Sequence, residues 1–371
     1  PWQGMLLNGQ RWLAQLPREF TPLLLPLVAW GGWAVVRRDR PMAVLVALTV
    51  SSNLLAVLNY HRDPNGLGVF FLTGFAGLAI LIGYGADDLR RRFGTAVGAL
   101  VGVLVPGLLL VANGGAADRR DEWTVHRFGR DILSGLPAEA VLVTEGDDAS
   151  FVVDYLQRVE GFRPDVSLYN RMGRGTDLLT PVQRRLPLAR QQEQQARAEG
   201  ELVRQGRRPV YYLVARGLPS AEHELVPDGL AYRVVRRGQE RGEEGVDRPP
   251  PEPIPADQAR TDEDPWVRKV QADYWYMRGE YELDHGRPAA AVAAYEHAAS
   301  VAFDSRTMRF NVALALARCG ESGRAWPHAL AARDLDPWQA APHRLLARLA
   351  EELGRPAEAA EHLRRAAAQR P

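Results

Sequence analysis

Residues 95–113, TAVGALVGVLVPGLLLVAN, run the length of a membrane span without one ionisable side chain. At 1.5 Å per residue a helix of that length reaches across a hydrocarbon core of about 30 Å. Three earlier stretches read the same way. They are FTPLLLPLVAWGGWAVV at 20–36, PMAVLVALTVSSNLLAVLN at 41–59 and LGVFFLTGFAGLAILIGYG at 67–85. All four are apolar on every side, whereas a buried helix of a soluble protein shows one apolar stripe. Trp30, Trp33 and Tyr60 stand near their ends, where amphipathic rings favour the membrane interface. The expectation is four transmembrane helices over 20–113.

The connections between these stretches alternate in charge. Arg37-Arg38-Asp39-Arg40 and the run Asp87 to Arg92 are basic, while 61–65 holds one Arg and one Asp. Short Arg-rich connections stay in the cytoplasm. Residues 1–19, the loop at 61–66 and everything after about 114 are therefore expected on the exported side. Asp87-Asp88 with Arg90–Arg92 reads as an orientation signal and little else. Residues 1–19 place Trp2, Met5, Leu6, Trp12, Leu13 and Leu16 near helical spacing, as an interfacial segment or the end of a preceding span would.

Composition narrows the classes. A net charge of +1 over 371 residues leaves no global field to attract nucleic acid. Cys319 is the only cysteine, which excludes an internal disulfide and any cysteine-based zinc or iron–sulfur site. Lys269 is the only lysine, and an Arg-, Gly- and Ala-rich chain of this kind suits a GC-rich bacterial genome. The expected home is a bacterial inner membrane, multi-pass, with the bilayer itself as one partner. The chain opens Pro-Trp-Gln-Gly without an initiator Met, so it is expected to be part of something longer.

After Gly114-Gly115 the pattern changes. Residues 121–135 read as an amphipathic helix with Trp123, Phe128, Ile132 and Leu133 on one side. Next come a β-branched run, AVLVTEGDD, a helix marked by Phe151, Tyr155 and Val159 at spacings of four, and a second apolar run, VSLYN. Strand, helix and strand in so short a space predict a parallel βαβ unit. Residues 183–206 read as helix, and RPVYYLVA and GLAYRVVRR as two further strands. Together they predict a small exported α/β domain over 118–238. The Pro-rich stretch 239–264 reads as an extended, solvated linker.

A repeat occupies 270–371. Gly286, Gly320 and Gly354 are 34 residues apart, and small residues recur at fixed offsets, as at Gly279, Ala313 and Ala347, and Ala291, Ala325 and Ala359. This spacing resembles three tetratricopeptide repeats. Such a stack ordinarily binds a protein or peptide on its concave face; the alternative is that it braces the neighbouring domain. The whole is expected to be an α-helical membrane bundle followed by a small α/β domain and an α-helical tetratricopeptide-repeat solenoid.

No complete catalytic signature is present. The external loop offers His61, Arg62 and Asp63: Arg62 as a bidentate partner for a lipid phosphate, His61 or Asp63 as base or metal ligand. The structural alternative is a polar turn closed by Pro64-Asn65-Gly66. Glu145, Asp147 and Asp148 end a parallel strand, the edge where α/β sheets bind ligands, and would suit a divalent cation or sugar hydroxyls. The alternative there is that Asp147 or Asp148 caps the following helix. His285, His297, His328, His343 and His362 fall at no metal spacing and read as surface residues.

The block Thr144-Glu145-Gly146-Asp147, then Tyr155 to Gly161 (YLQRVEG), then Arg163-Pro164-Asp165-Val166 resembles a known pattern. DILSGLP before it, GLAYRV after it and VFFLTGF at the third span agree. The resemblance, over about 20–236, is to the bacterial transmembrane protein 260-like protein O-mannosyltransferase family, domain of unknown function 2723, whose members commonly carry tetratricopeptide tails. It implies a multispanning C-superfamily glycosyltransferase taking a sugar from a polyprenyl-phosphate donor. It also implies an essential acid in a first external loop upstream of this chain, so that the fragment alone would be inactive. A membrane-anchored scaffold that recruits envelope proteins through its repeats is the non-catalytic alternative. An oligosaccharide polymerase or ligase would share the membrane layout without the Thr144–Val166 block.

Overall fold

A computed structural model describes residues 2–60, 64–171, 177–215, 217–218, 220–238, 247–255, 264–337 and 339–369. They form two compact units, one of residues 1–121, 304–307 and 329–371 and the other of 122–303 and 308–328.

The first unit begins with α1 (Trp2–Arg38), α2 (Arg40–Leu58), a 3-10 turn (Pro64–Phe71), α3 (Leu72–Phe93) and α4 (Thr95–Ala117). Four of its helical segments are long and apolar enough to cross a membrane, and together they cover all four expected spans. α1 is interrupted at Thr21, whose φ of 55° leaves the helical region. Pro22 follows, and a proline disfavours the helical region for the residue before it. The break is at the second residue of the expected first span, 20–36. The N-terminal part packs inward: Trp12 and Phe20 are buried with Val57, Phe71 and Phe75, and Asn8 Nδ2 donates to the carbonyls of Val57 and Tyr60. α1 and α3 approach closely where Gly31 meets Leu81, since a Cβ on Gly31 would lie 1.7 Å from the Leu81 carbonyl oxygen. Small residues at such crossings let dispersion act between backbones where lipid supplies no hydrophobic drive.

Asp88 does more than mark orientation. Its carboxylate is buried and is bonded by Arg38, by Arg92 Nε at 2.7 Å and by Trp30 Nε1 at 3.0 Å. It thereby ties the end of α1 to α3, with Arg92 also lying over the Trp30 and Trp33 rings.

The same unit contains the hairpin α12 (Ala340–Glu352) and α13 (Pro356–Ala368), turned at Gly354 with φ +71°. His343 and His362 are buried in it, contrary to their reading as surface residues, because their rings fill the seam between the two helices.

The second unit is built on a five-stranded sheet. Its elements are α5 (Thr124–Ser134), β1 (Val141–Thr144), α6 (Asp147–Arg158), β2 (Ser167–Asn170), α7 (Leu188–Gln205), β3 (Val210–Tyr212), β4 (His223–Asp228) and β5 (Ala231–Arg236). The strand order is β2-β1-β3-β5-β4. β1 pairs in parallel with both β2 and β3, as the βαβ reading requires, and β5 pairs antiparallel with β3 and β4. β4 is absent from the sequence reading because HELVPD carries charge and a proline, and pairing with β5 as a hairpin overrides that weak propensity. Alternation along β1 covers both sheet faces. Leu142 joins Phe128, Ile132, Val153 and Leu156, whereas Val141 and Val143 meet Val203 of α7.

Trp123, expected on the buried side of α5, is instead 61% exposed. The stretch read as a solvated linker is also corrected for its described residues, 247–255. Ile254 is buried among Val267, Val270 and Tyr232, and its carbonyl accepts from Gln271 Nε2 at 3.1 Å. Arg248 reaches the buried Asp228, which also accepts the Tyr211 hydroxyl at 2.7 Å. An apolar side chain among the prolines and carbonyls that accept from Gly229, Arg278 and Gln271 let this segment dock as a strap.

Beyond the strap, α8 (Pro265–Asp284) and α9 (Pro288–Val301) form a hairpin turned at Gly286, and α10 (Arg306–Arg318) and α11 (Ser322–Leu335) follow, joined by a turn at Gly320. All three turn glycines have positive φ, which costs glycine nothing and explains their 34-residue recurrence. Gly279 is needed for close approach, since a Cβ there would lie 2.4 Å from the Tyr295 ring. α8 buries Val267, Val270, Tyr274 and Met277 in the core of the α/β sheet, so the first hairpin braces that domain. His328 is likewise buried, its Nε2 3.0 Å from Glu296, which corrects its reading as a surface residue.

Candidate functional site at the strand edge

β1 has β2 on one side and β3 on the other, so the chain reverses its winding at β1. In open α/β sheets the crevice beyond the strand C-termini at such a point is the usual ligand site. Here it holds a cluster of the chain's own charges. Arg171, which follows β2, donates through Nε and Nη2 to both oxygens of Glu199 at 2.9 and 2.6 Å. Its Nη1 donates to Glu145 Oε2 at 3.2 Å, and its backbone N–H to the Thr144 carbonyl at 3.0 Å. The Tyr212 hydroxyl and Gln195 also donate to Glu199, and the guanidinium lies 4.9 Å from the Tyr212 ring centre.

Burial alone would pull the Arg171 pKa down, but the hydrogen bonds and charge of Glu199 and the bond to Glu145 outweigh it and raise it. Burial and then the Glu199 charge raise Tyr212. Neither group is therefore poised to exchange a proton near neutral pH. Glu145 is engaged by a guanidinium where a divalent cation was expected, and among the described residues no three His, Cys, Asp or Glu side chains stand together as metal ligands. Gly146, with φ +88°, caps α6 without a side-chain bond, so the aspartate-cap reading does not hold either. Asp147 is exposed at the first turn of α6, and the Asp148 side chain lies outside the described residues.

The Arg-Pro-Asp-Val segment has a structural role. Arg163 donates through Nη1 to the Leu133 and Leu136 carbonyls at 2.7 and 2.9 Å, and through Nη2 to Pro137 at 2.8 Å. They are the carbonyls of the last turn of α5 and of the two residues that follow its cap, and Leu133 also accepts the Leu136 N–H at 3.2 Å. Asp165 holds the same guanidinium and accepts the Glu139 N–H at 3.0 Å, and Arg163 first and Glu139 second hold its carboxyl well below the usual range.

His61, Arg62 and Asp63 lie outside the described residues. A groove the sequence did not signal is lined by the strap and by α8 and α9, with a volume of about 520 Å³. Trp275 and His297 meet across it with ring centres 4.2 Å apart, and Arg268 lies over Phe303. Neither Arg171 with Glu199 nor this groove follows a motif. The one available signal was an arginine directly after a parallel strand.

No family model matches the chain. Over 163 residues it is 26% identical to the mouse (Mus musculus) protein O-mannosyl-transferase TMEM260, a match covering 39% of this chain and 23% of that protein. The matched region is thus under a quarter of the curated relative's length. Set beside four membrane-length helices and a small mixed sheet, this similarity supports a distant, transmembrane protein 260-like relationship for a membrane-embedded chain.

Proposed function

We propose that this chain is the C-terminal part of a membrane glycosyltransferase that moves a sugar from a polyprenyl-phosphate donor to a protein hydroxyl on the exported face. The observation that carries this is the similarity to a protein O-mannosyl-transferase in a chain with four membrane-length helices. In this reading the α/β domain and the helical hairpins stand outside the cytoplasm of a bacterial cell. Arg62 would pair with the donor phosphate, beside His61 and Asp63 in the sequence. The catalytic base would come from a preceding external loop and attack would be by the acceptor hydroxyl. The internally paired Arg171 cluster supports a positioning role for the α/β domain, with no chemistry of its own.

The test is transfer by the full-length protein in proteoliposomes, with radiolabelled polyprenyl-phosphate sugars and cell-envelope protein as acceptor. Label reaching protein, and reduced by Arg62→Ala with the fold intact, would support the reading. No transfer from any donor would overturn it.

A scaffold reading has one observation in its favour, the groove between the strap and the α8–α9 hairpin, with Trp275 and Phe303 as apolar anchors. We propose on that basis that the three helix pairs form a tetratricopeptide-type stack that holds a protein or peptide partner. Deleting 270–371 would then abolish partner capture and leave any sugar transfer in place.

A further inference from the structure

The row Phe151, Tyr155 and Val159 marks α6 as a helix, yet it is not what α6 buries. Val152, Val153 and Leu156 fill the core, and the row itself is 52%, 48% and 68% exposed. At 1.5 Å per residue it runs roughly 12 Å along the helix. The exposed Trp123 ring packs edge-on against His126 at 5.3 Å, and His126 Nε2 lies 2.8 Å from Glu160, next in sequence to Val159. Two aromatic rings and a valine thus make an exposed apolar row along α6, with the indole linked to its far end through the His126–Glu160 pair. Beside it, Arg158 pairs with Asp154 at 2.7 Å and His126 with Glu160 at 2.8 Å.

Chain connectivity says what is near enough to cover the row. Only residues 118–123 join the end of the last span, Ala117, to the start of α5 at Thr124, and Trp123 is the last of them. Fully extended, such a linker reaches about 20 Å. Trp123 cannot leave the neighbourhood of the bilayer surface, and Trp, Tyr and Phe are the side chains that partition there.

We propose that the Trp123–Phe151–Tyr155–Val159 strip rests on the phospholipid surface and sits about 5–10 Å into the headgroup boundary, holding the α/β domain against the membrane. Because the four residues of the strip carry no charge, docking does not depend on anionic lipid. It is independent of any transfer activity.

The experiment uses the full chain in nanodiscs of zwitterionic phosphatidylcholine. On a Cys319→Ser background, Tyr155→Cys carries an environment-sensitive fluorophore, and Gln192→Cys on α7, which covers the opposite sheet face, carries the reference. Headgroup-depth spin-labelled lipid should quench position 155 about threefold more than position 192, and a water-soluble quencher the reverse. Adding phosphatidylserine should change neither ratio. Equal aqueous quenching at the two positions would overturn the proposal. So would protection from both quenchers at 155, since another protein surface would then cover the strip. Protection lost in discs holding a single chain would identify that cover as a second copy. Hydroxyl-radical footprinting of the unsubstituted protein in the same discs guards against damage by labelling. Trp123 and Tyr155 modified as fast as the exposed Trp266 would overturn the proposal by itself.

Discussion

His343 and His362 face each other across the α12–α13 hairpin with their Nδ1 atoms 3.0 Å apart. One ring must donate and the other accept, so the contact exists only while at least one imidazole is neutral. Burial first, then His362, Arg333 and Arg365, pushes His343 down to about 4, with Asp334 opposing; His362 is lowered too, by burial first, with Glu358 and Glu361 opposing.

The direction of the pH effect follows. The unfolded chain takes up a proton near pH 6.5 and the folded hairpin only near 4, so the contribution is present above 6.5 and lost as pH falls between those values. The hairpin should lose about 2 kcal/mol by pH 5. The protection factors of the α12 and α13 amides, corrected for the intrinsic exchange rate at each pH, should fall steeply from pH 7 to 4.5, and His343→Gln should flatten the fall. Protection factors independent of pH in the native chain would refute this.

Arg163→Ala removes a side chain that binds three carbonyls and a carboxylate from one backbone position. The Leu136 and Pro137 carbonyls lose the guanidinium, and Leu133 keeps the Leu136 N–H at 3.2 Å, at a cost of about 2–3 kcal/mol. Thermal unfolding of the detergent-solubilised protein should fall by several degrees, and proteolysis should open the 133–140 segment first. Arg163→Lys should recover only part of the loss, because an ammonium cannot fork to all of these acceptors.

Asp88→Asn and Asp87→Asn separate a buried pin from a surface charge. Asp88 is 1% exposed and holds Arg38, Arg92 and Trp30, so its loss should cost roughly 2–4 kcal/mol of thermostability in detergent. Asp87 is 34% exposed in its pairs with Arg90 and Arg91, and its replacement should leave the melting curve unchanged. Equal effects would show that Asp88 is not the link between α1 and α3.

Arg171→Met leaves Glu199, whose side chain is 4% exposed, buried without its guanidinium. Breaking such a pair from one side costs about 3–5 kcal/mol. The α/β domain should become protease-sensitive, and Glu199→Gln in the same chain should restore part of the stability by removing the stranded charge. A chelator should leave the stability of the native domain unchanged, since Glu145 is engaged by Arg171. A melting temperature lowered by chelation would argue for a cation at this edge.

The membrane-length helices, the parallel βαβ unit and the three glycine turns were legible because each rests on local chemistry. Residues 95–113 lack charge over a span's length, Val141–Thr144 and Ser167–Asn170 are short apolar runs on either side of a helix, and Gly286, Gly320 and Gly354 are free to adopt positive φ. The candidate site was legible only in its address. The strand edge was found, but the residue that fills it, Arg171, meets Glu199 from 28 positions away, and no periodicity reports such a pairing. β4 was hidden because its pairing with β5 outweighs the poor strand propensity of its proline and charges.

By itself, then, the sequence determined where the helices long and apolar enough to cross a membrane lie, where the chain turns and which segments pair as strand–helix–strand, since length, charge and glycine freedom act within a few residues. Only the tertiary structure decided that Asp88 is a buried pin and that the Pro-rich segment docks through Ile254. It also decided that His343 and His362 share a seam, and that Phe151, Tyr155 and Val159 look outward. Each of these depends on what another part of the chain brings within a few ångströms, and burial, unlike helical period, is not a property of a residue's own neighbours in sequence.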